Sequence, residues 1–339
     1  MKRWQRWLVA AGSGMLLGLM GLAAVIFAEV EQAMRVPPAL SGSALLQIEP
    51  GSSISRIARQ IEANGWVADY RLLLLHTRLT RTAQHLQAGT YEMLPGDTLR
   101  DLLQRIAGGR TKVFTVRFIE GSRFADMRRI LAAQPYIEQS LDQLSDAEIV
   151  RELDLDAPSP EGLFFPSTYH YEAGTSDLEL LRRAARRLQE VLDEAWRERQ
   201  AELPFEGPYE GLILASIVEK ETGLDTERAE VAGVFVRRLR LGMKLQTDPT
   251  VLYGRDAAIE GPLTRADLVR EHPYNTYVHA GLPPTPIAMP GRDAIVAALN
   301  PAPGKTLYFV ATGTGGHHFS TSLREHNEAV RRYQRSRGQ

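Results

Sequence analysis

The chain has 339 residues, of which 44% are hydrophobic and 24% charged, and its formal net charge at pH 7 is -1. This composition excludes a disordered chain, and the balanced charge argues against a nucleic-acid partner. Cysteine is absent, which excludes thiolate zinc sites and cysteine nucleophiles.

The N-terminal segment predicts a membrane anchor. Basic residues within 1–6 precede a charge-free apolar run over 7–28, and Glu29 and Glu31 follow it. About 20 apolar residues cross a bilayer, and basic flanks stay in the cytoplasm. We therefore expect a cytoplasmic N-terminus over 1–6, a single transmembrane helix over 7–28 and an extracytoplasmic remainder. The alternative is a signal peptide, but cleavage after residue 28 would leave bulky Ile26 where a small residue is required.

Three later segments repeat one pattern: a short β-rich run, a glycine turn and an amphipathic helix. The turns contain Gly51, Gly96 and Gly121, and the strand candidates are 44–48, 89–94 and 113–119. Short polar side chains after the first two glycines are expected to cap the helices: Ser52 or Ser53, and Asp97 or Thr98.

The repeats and the glycine breaks between them predict an α+β protein with two extramembrane parts. The first two repeats form a small α+β module over 43–110, and Gly108 and Gly109 mark a break. A larger α+β domain over 111–335 follows. A charge-rich amphipathic helix is predicted within it, over 177–198.

The run GLILASIVEKET predicts a buried helix that carries carboxylates at its C-terminal end. Positions i, i+3, i+4 and i+7 share one helix face, so Glu221 continues the apolar stripe of Leu214 and Val218. Glu219 lies on another face. Burial raises the pKa of a carboxyl group, and Glu221 is therefore expected to hold a proton near neutral pH. The alternative is that both glutamates are solvated residues at a helix end.

Three later segments have the composition of loops that line a polar cleft. Residues 245–254, 273–291 and 308–327 concentrate Asn, Thr, Tyr, His and Gly-Pro turns. Backbone and aromatic groups in such loops can contact sugar hydroxyls and sugar faces.

Taken in chain order, these motifs resemble those of the MltG (YceG-like) endolytic murein transglycosylases. The resemblance rests on EGSRFADM (120–127), EGLFFPSTY (161–169), VEKET, LQTDPT, YNTY, GLPP and a late Gly-His-x-Phe pattern. It covers nearly the whole chain and implies a single N-terminal anchor, a LysM-like glycan-binding module over 43–110 and a catalytic transglycosylase domain over 111–335.

The resemblance also implies a reaction. The family cleaves the β-1,4 bond between N-acetylmuramic acid and N-acetylglucosamine without water and leaves a 1,6-anhydro end. Glu221 matches its catalytic glutamate and would act alone, as acid and then as base. Glu219 is the secondary catalytic candidate. The substrate-binding candidates are Gln246, Asp248, Tyr274, Asn275, Tyr277, His317 and Phe319, each with a structural role in a turn, core or loop as the alternative.

No metal or other cofactor is expected. Several histidines cluster in the C-terminal third, but none has the spacing of a known metal motif. The partners that the resemblance implies are peptidoglycan glycan strands and peptidoglycan synthases, with cleavage that terminates or trims nascent strands. The expected location is the cell inner membrane, with the catalytic domain in the periplasm.

Two other functions stay open from the residues alone. A lysozyme-type muramidase would need a second carboxylate, for which Asp248 is the best candidate. A non-enzymatic wall-binding scaffold would use only the LysM-like module, with Glu221 in a structural role.

Overall fold

The three glycine-centred repeats fold as a strand, a tight turn and a helix, as predicted. All three glycines have positive φ angles, between 72° and 90°, which favour glycine because it lacks a Cβ atom. The computed structural model describes residues 3–255, 261–313 and 315–337. The chain divides into two units, Met1–Phe114 and Thr115–Gln339.

The described residues of the first unit form four helices and a two-stranded antiparallel sheet. Its elements are α1 (Arg3–Arg35), β1 (Ala44–Ile48), α2 (Ile54–Ala63), α3 (Tyr70–Leu79), a 3-10 turn (Thr82–Gln84), β2 (Gly89–Met93) and α4 (Leu99–Ala107). β1 pairs with β2 from Ala44 opposite Met93 to Ile48 opposite Gly89. Of the predicted caps, Ser53 accepts from the N–H of Arg56, and Thr98 forms a capping box with Asp101.

Helix α1 extends seven residues beyond the predicted end at residue 28. Val30 and Met34, one turn apart, are buried in the hydrophobic core of the first unit, and this packing stabilises the helix past the apolar run. By length and composition, Gly12–Arg35 could cross a membrane. Residues 1 and 2 of the predicted cytoplasmic segment lie outside the described residues.

The second unit, where the structure describes it, is mainly helical, with two small sheets. Its elements are α5 (Phe124–Ala132), a 3-10 turn (Leu141–Gln143), α6 (Asp146–Glu152), β4 (Thr168–Tyr171), α7 (Asp177–Arg197), α8 (Pro208–Glu221), α9 (Asp225–Arg240), α10 (Asp248–Gly254), α11 (Arg265–Val269), α12 (Arg292–Leu299), β5 (Tyr308–Ala311), β6 (His317–Ser320) and α13 (Leu323–Arg337). β3 (Phe114–Arg117) starts at the last residue of the first unit and pairs with β4. β5 and β6 form an antiparallel pair.

Helix α8 is the central helix of the second unit. It packs against α7, α9, α10 and α12, and every residue from Gly211 to Val218 is buried. The helix is therefore buried on all sides and not only along the predicted stripe, as its almost continuous apolar sequence requires. Pro208 occupies its first turn, where the missing N–H has no intrahelical acceptor. Its C-terminal residue is Glu221.

Candidate active site

Glu221 lies on the wall of a cleft of about 760 Å³. The residue is half-buried, and its Oε1 accepts a hydrogen bond from the hydroxyl of Thr247. Burial raises the pKa of Glu221 to about 7; the negative charge of Asp248 adds to this rise, and the Thr247 bond and His317 oppose it. The carboxyl group can therefore both hold and release a proton at neutral pH.

Glu219 is held by a separate network. Its side chain is 8% exposed and lies 4.0 Å from the guanidinium of Arg228, which also contacts Asp225 and Asp293. Its Oε2 accepts a hydrogen bond of 3.0 Å from the N–H of Gly291. Burial raises its pKa, and the Gly291 bond and Arg228 oppose the rise. Glu219 is absent from the lining of the Glu221 cleft, so its position supports a structural role.

The cleft brings together five of the predicted site residues. Its described lining includes Glu221, Gln246, Asp248, Tyr277 and His317. The rest of the described lining comes mainly from β5, from the first half of α13 and from Arg238 of α9. Its polar and aromatic members, which the sequence did not single out, are Arg238, Tyr308, Phe309, His326 and Asn327.

The loop before α10 is shaped by hydrogen bonds to Thr276. The N–H of Gln246 donates to the Thr276 carbonyl at 3.1 Å, and the N–H of Thr247 donates to its Oγ1 at 3.1 Å. Gln246 has a φ of 50°, a left-handed conformation that costs free energy for a residue with a Cβ atom. The bonds that impose this turn also hold Thr247 beside Glu221.

Tyr277 and Asp248 are paired at the cleft wall. The hydroxyl of Tyr277 donates to Oδ1 of Asp248 at 2.6 Å. Burial raises the pKa of Tyr277, and the bond to Asp248 raises it further. The phenol therefore stays protonated at neutral pH and can orient the carboxylate.

His317 is held by Glu227, a partner that the sequence analysis missed. The backbone N–H of His317 donates to Oε1 of Glu227 at 2.9 Å, and its Nδ1 lies 2.8 Å from Oε2. Burial acts to raise the pKa of Glu227, but these contacts outweigh it and lower the pKa. A Cβ atom at Gly316 would approach Glu227 Oε1 to 2.8 Å. The glycine before His317 thus allows the close contact.

Asn275 does not face the cleft, contrary to the expectation that it contacts substrate. It is 2% exposed, and its Nδ2 donates to the carbonyls of Asp267 and Arg270 at 3.0 and 2.8 Å. Its Oδ1 accepts from the N–H of Tyr277 at 3.0 Å. The side-chain amide of Asn275 therefore shapes the loop through bonds to backbone groups, which agrees with the structural role given above as the alternative to substrate contact.

Tyr274 and Phe319 are also absent from the lining of the Glu221 cleft. Tyr274 packs on Tyr253, with ring centroids 4.7 Å apart, and lines a second cleft. Phe319 packs on Phe309 and His317, with centroid distances of 6.0 and 6.3 Å. Phe319 can therefore support the cleft wall from behind.

Arg238 and His326 organise another part of the cleft wall. Arg238 donates to the carbonyls of Leu307 and Leu245, both at 2.7 Å, and its guanidinium lies 5.1 Å from the ring centre of Tyr308. His326 stacks on the same Tyr308 ring, at a centroid distance of 5.4 Å. Because buried Arg238 bonds the carbonyls of both Leu245 and Leu307, it joins two segments that are far apart in sequence.

The histidines of the C-terminal third have separate partners. His279 lies 2.8 Å from Glu271, and His272 packs on Tyr274 at a centroid distance of 5.7 Å. Among the described residues, no group of three or more His, Cys, Asp or Glu is arranged to hold a metal ion.

Comparisons with known proteins find one family and several relatives. The model of the YceG-like family matches residues 46–332. The endolytic murein transglycosylase of Bacillus subtilis (strain 168) is 29% identical over 305 residues, which cover 85% of this chain and 84% of that protein. The protein of the same name from Streptococcus pneumoniae (strain D39) is 24% identical over 328 residues, covering 84% of this chain but only 57% of the streptococcal protein.

A solved structure supports the fold. The crystal structure of a YceG-like protein from Listeria monocytogenes is 29% identical in sequence and superposes with a TM-score of 0.56. The match covers 84% of this chain and 98% of that one.

Proposed function

This chain belongs to the YceG-like family, and we propose that it is an endolytic lytic transglycosylase acting on peptidoglycan glycan strands. The observation that carries the proposal is the position of Glu221, whose carboxyl group lines a cleft of about 760 Å³ and bonds Thr247; burial raises its pKa to about 7. A general acid works best when its pKa is close to the working pH. The names of the related proteins support the substrate class.

The reaction that we propose uses Glu221 twice. Its protonated carboxyl donates to the glycosidic oxygen as the bond from that oxygen to C1 of N-acetylmuramic acid breaks. The resulting carboxylate then accepts the proton of the C6 hydroxyl as O6 bonds to C1, which forms the 1,6-anhydro end. Water is not consumed, and Glu221 regains its proton. Because Thr247 bonds Oε1, we assign the proton transfers to Oε2.

The remaining cleft residues would position the sugar for this internal attack. We assign substrate contacts to Gln246, to the Asp248–Tyr277 pair and to His317, all of which line the cleft. Holding the C6 hydroxyl close to C1 supplies rate acceleration by orientation alone. Tyr308, whose ring packs on Arg238 and His326, forms part of the same wall.

The proposed architecture places the reaction outside the cytoplasm. Residues 1–6 would be cytoplasmic, 7–28 would cross the inner membrane, 43–110 would form a LysM-like glycan-binding module and 111–335 the catalytic domain. The order of β1, α2, α3 and β2, with the two strands paired, supports the LysM-like assignment. An anchored enzyme of this kind would meet nascent strands at peptidoglycan synthases and set their length.

One observation favours a second candidate, a muramidase that uses two carboxylates. Asp248 lines the same cleft as Glu221, and its charge raises the pKa of Glu221. Mass spectrometry of products from purified glycan strands separates the two reactions. The proposed reaction gives 1,6-anhydromuramyl ends and is retained in Asp248→Asn; mainly reducing ends, together with loss of activity in Asp248→Asn, would establish the muramidase instead.

A further inference from the structure

A second cleft, of about 570 Å³, lies in the second unit at the other end of α10. Asp248, the first residue of this helix, lines the Glu221 cleft, and Tyr253 and Gly254 at its end line the second one. A helix of seven residues is about 10 Å long. A linear polymer bound at Glu221 is therefore within reach of both clefts.

An ordered arginine lies on the wall of this second cleft. Nη2 of Arg123 donates to the carbonyl of Leu252 at 3.0 Å, and its guanidinium lies 5.0 Å from the ring centre of Tyr253. Within the described ranges, no carboxylate oxygen lies within 4.0 Å of this guanidinium. A guanidinium carries five N–H donors, and the one bond to Leu252 leaves others for a ligand.

The cleft also has a rigid aromatic platform. The rings of Tyr253 and Tyr274 pack with centroids 4.7 Å apart. The hydroxyl of Tyr253 donates to Oε2 of Glu161 at 3.3 Å, and that of Tyr274 bonds Thr285 at 2.7 Å. Both rings are thus anchored through their hydroxyl groups.

Glu161 is the buried carboxyl behind this platform. It is 6% exposed, and its Oε1 accepts from the N–H of Phe124 at 3.1 Å. Burial raises its pKa to about 7, although the bonds from Phe124 and Tyr253 oppose the rise. The positive charge of Arg123 also opposes this rise, so the two groups interact through their charges, although the described residues show no direct ion pair between them.

His272 completes the wall beside the aromatic pair. The N–H of Tyr274 donates to its Nδ1 at 3.2 Å, so the neutral ring carries its proton on Nε2 and can donate from there. A Cβ atom at Gly254 would lie 2.4 Å from Nδ1. The glycine therefore allows the imidazole to pack directly against the end of α10.

We propose that this second cleft binds a carboxylate carried by the glycan strand, with Arg123 as its ion-pair partner and the Tyr253–Tyr274 pair as the surface for the adjoining atoms. The proposal rests on the proposed function. Muramic acid carries a lactyl group whose carboxylate is either free or extended by a peptide stem with its own carboxylates. An arginine fork matches carboxylate geometry. Binding here would fix the register of the strand relative to Glu221.

The test measures binding to the full-length Glu221→Gln protein in detergent, so that no turnover is needed. Three probes are titrated: disaccharide-tetrapeptide fragments, the same fragments after amidase removal of the stem, and oligomers of N-acetylglucosamine, which lack carboxylates. Arg123→Gln in this background should weaken the carboxylate-bearing probes about tenfold, as expected for the loss of a charge-assisted hydrogen bond. Arg123→Lys should recover part of the loss.

Comparison of the three probes identifies the source of the carboxylate. If the stem supplies it, amidase treatment weakens binding as much as Arg123→Gln does. If the lactyl group supplies it, the amidase-treated fragment binds at least as tightly as the intact disaccharide-tetrapeptide, and Arg123→Gln still weakens its binding. Arg186→Gln, an exposed change on α7, is the matched control and should change nothing.

Two results would overturn the inference. One is that the Glu221→Gln protein binds the carboxylate probes no better than the uncharged oligomers. The other is that Arg123→Gln affects all three probes equally. Failure of the proposed function has a different signature, because wild type would then form no anhydro ends even if charge-dependent binding is intact.

Discussion

The hydroxyl of Thr247 donates a hydrogen bond to Oε1 of Glu221. The two residues are 26 positions apart in sequence. Thr276 holds Thr247 in place, because the Oγ1 of Thr276 accepts a hydrogen bond from the N–H of Thr247. A donor to a carboxylate stabilises its charged form, so this bond moderates the rise in pKa that burial causes. It also fixes which oxygen faces away from the loop.

Replacing Thr247 with Val should shift the pH profile of the enzyme. Loss of the donor leaves the charged form of Glu221 less stable, so its pKa rises further and the alkaline fall of kcat/KM moves to higher pH. A less well-oriented carboxyl should also lower kcat about tenfold. Thr321→Val removes a hydroxyl that bonds Glu325 at an exposed site and serves as the control. An unchanged pH profile in Thr247→Val would contradict the assigned role.

Glu221→Gln and Glu219→Gln should differ sharply in activity. Loss of a general acid and base costs at least about 10² to 10⁴ in rate, so Glu221→Gln should form almost no anhydro ends. Glu219→Gln should stay within about tenfold of wild type, because Arg228 retains Asp225 and Asp293 as partners. Product yield by mass spectrometry, with circular dichroism to verify folding, checks both. Equal losses in the two variants would count against a single catalytic carboxyl.

The pH dependence of wild type follows from the pKa of Glu221. Because the resting acid must be protonated, kcat/KM should fall above about pH 7, tenfold for each pH unit. Asp248→Asn removes a charge that raises this pKa, and His317→Gln removes one that lowers it. The fall should therefore begin at lower pH in Asp248→Asn and at higher pH in His317→Gln. Asp193→Asn, exposed on α7, should leave the profile in place.

Glu221 should also reduce the stability of the folded chain at alkaline pH. Its folded pKa of about 7 exceeds the reference value of 4.5, so its favourable contribution is complete below pH 4.5 and is lost as pH rises through 7. Glu221→Gln should therefore raise the free energy of unfolding by about 1 to 3 kcal/mol at pH 8. The gain should shrink at pH 5. Thermal unfolding at both pH values tests this, with exposed Glu190→Gln as the control; a gain independent of pH would be inconsistent with it.

Two glycines allow a test of close packing in the second unit. Gly162 and Gly174 have φ angles of 78° and 86°, so alanine at either is strained by about 1 kcal/mol. Only at Gly162 would the added Cβ meet a close neighbour, at 2.2 Å from Cβ of Pro286. Gly162→Ala should therefore lower the free energy of unfolding by several kcal/mol more than Gly174→Ala does. Equal losses of thermal stability would contradict the packing around Gly162.

Local features of the chain were predictable from sequence because they depend on near neighbours. The strand, glycine turn and helix of each repeat follow from residue periodicity and capping, and the helix that ends at Glu221 follows from its apolar run. Helix geometry also predicted that Glu219 and Glu221 lie on different faces of the helix. What periodicity missed is that the face carrying Glu219 is covered too, since burial depends on which elements pack around α8.

The sequence by itself therefore determined the helix that carries Glu221, the polar loops after it and the family. Only the tertiary structure decided which loop residues face the cleft: Asn275 turns inward to bond backbone carbonyls, whereas its neighbour Tyr277 reaches Asp248. Glu227 and His317 meet across 90 positions. Loop composition indicates polarity but not side-chain direction, and contacts between distant segments form only when the whole core packs.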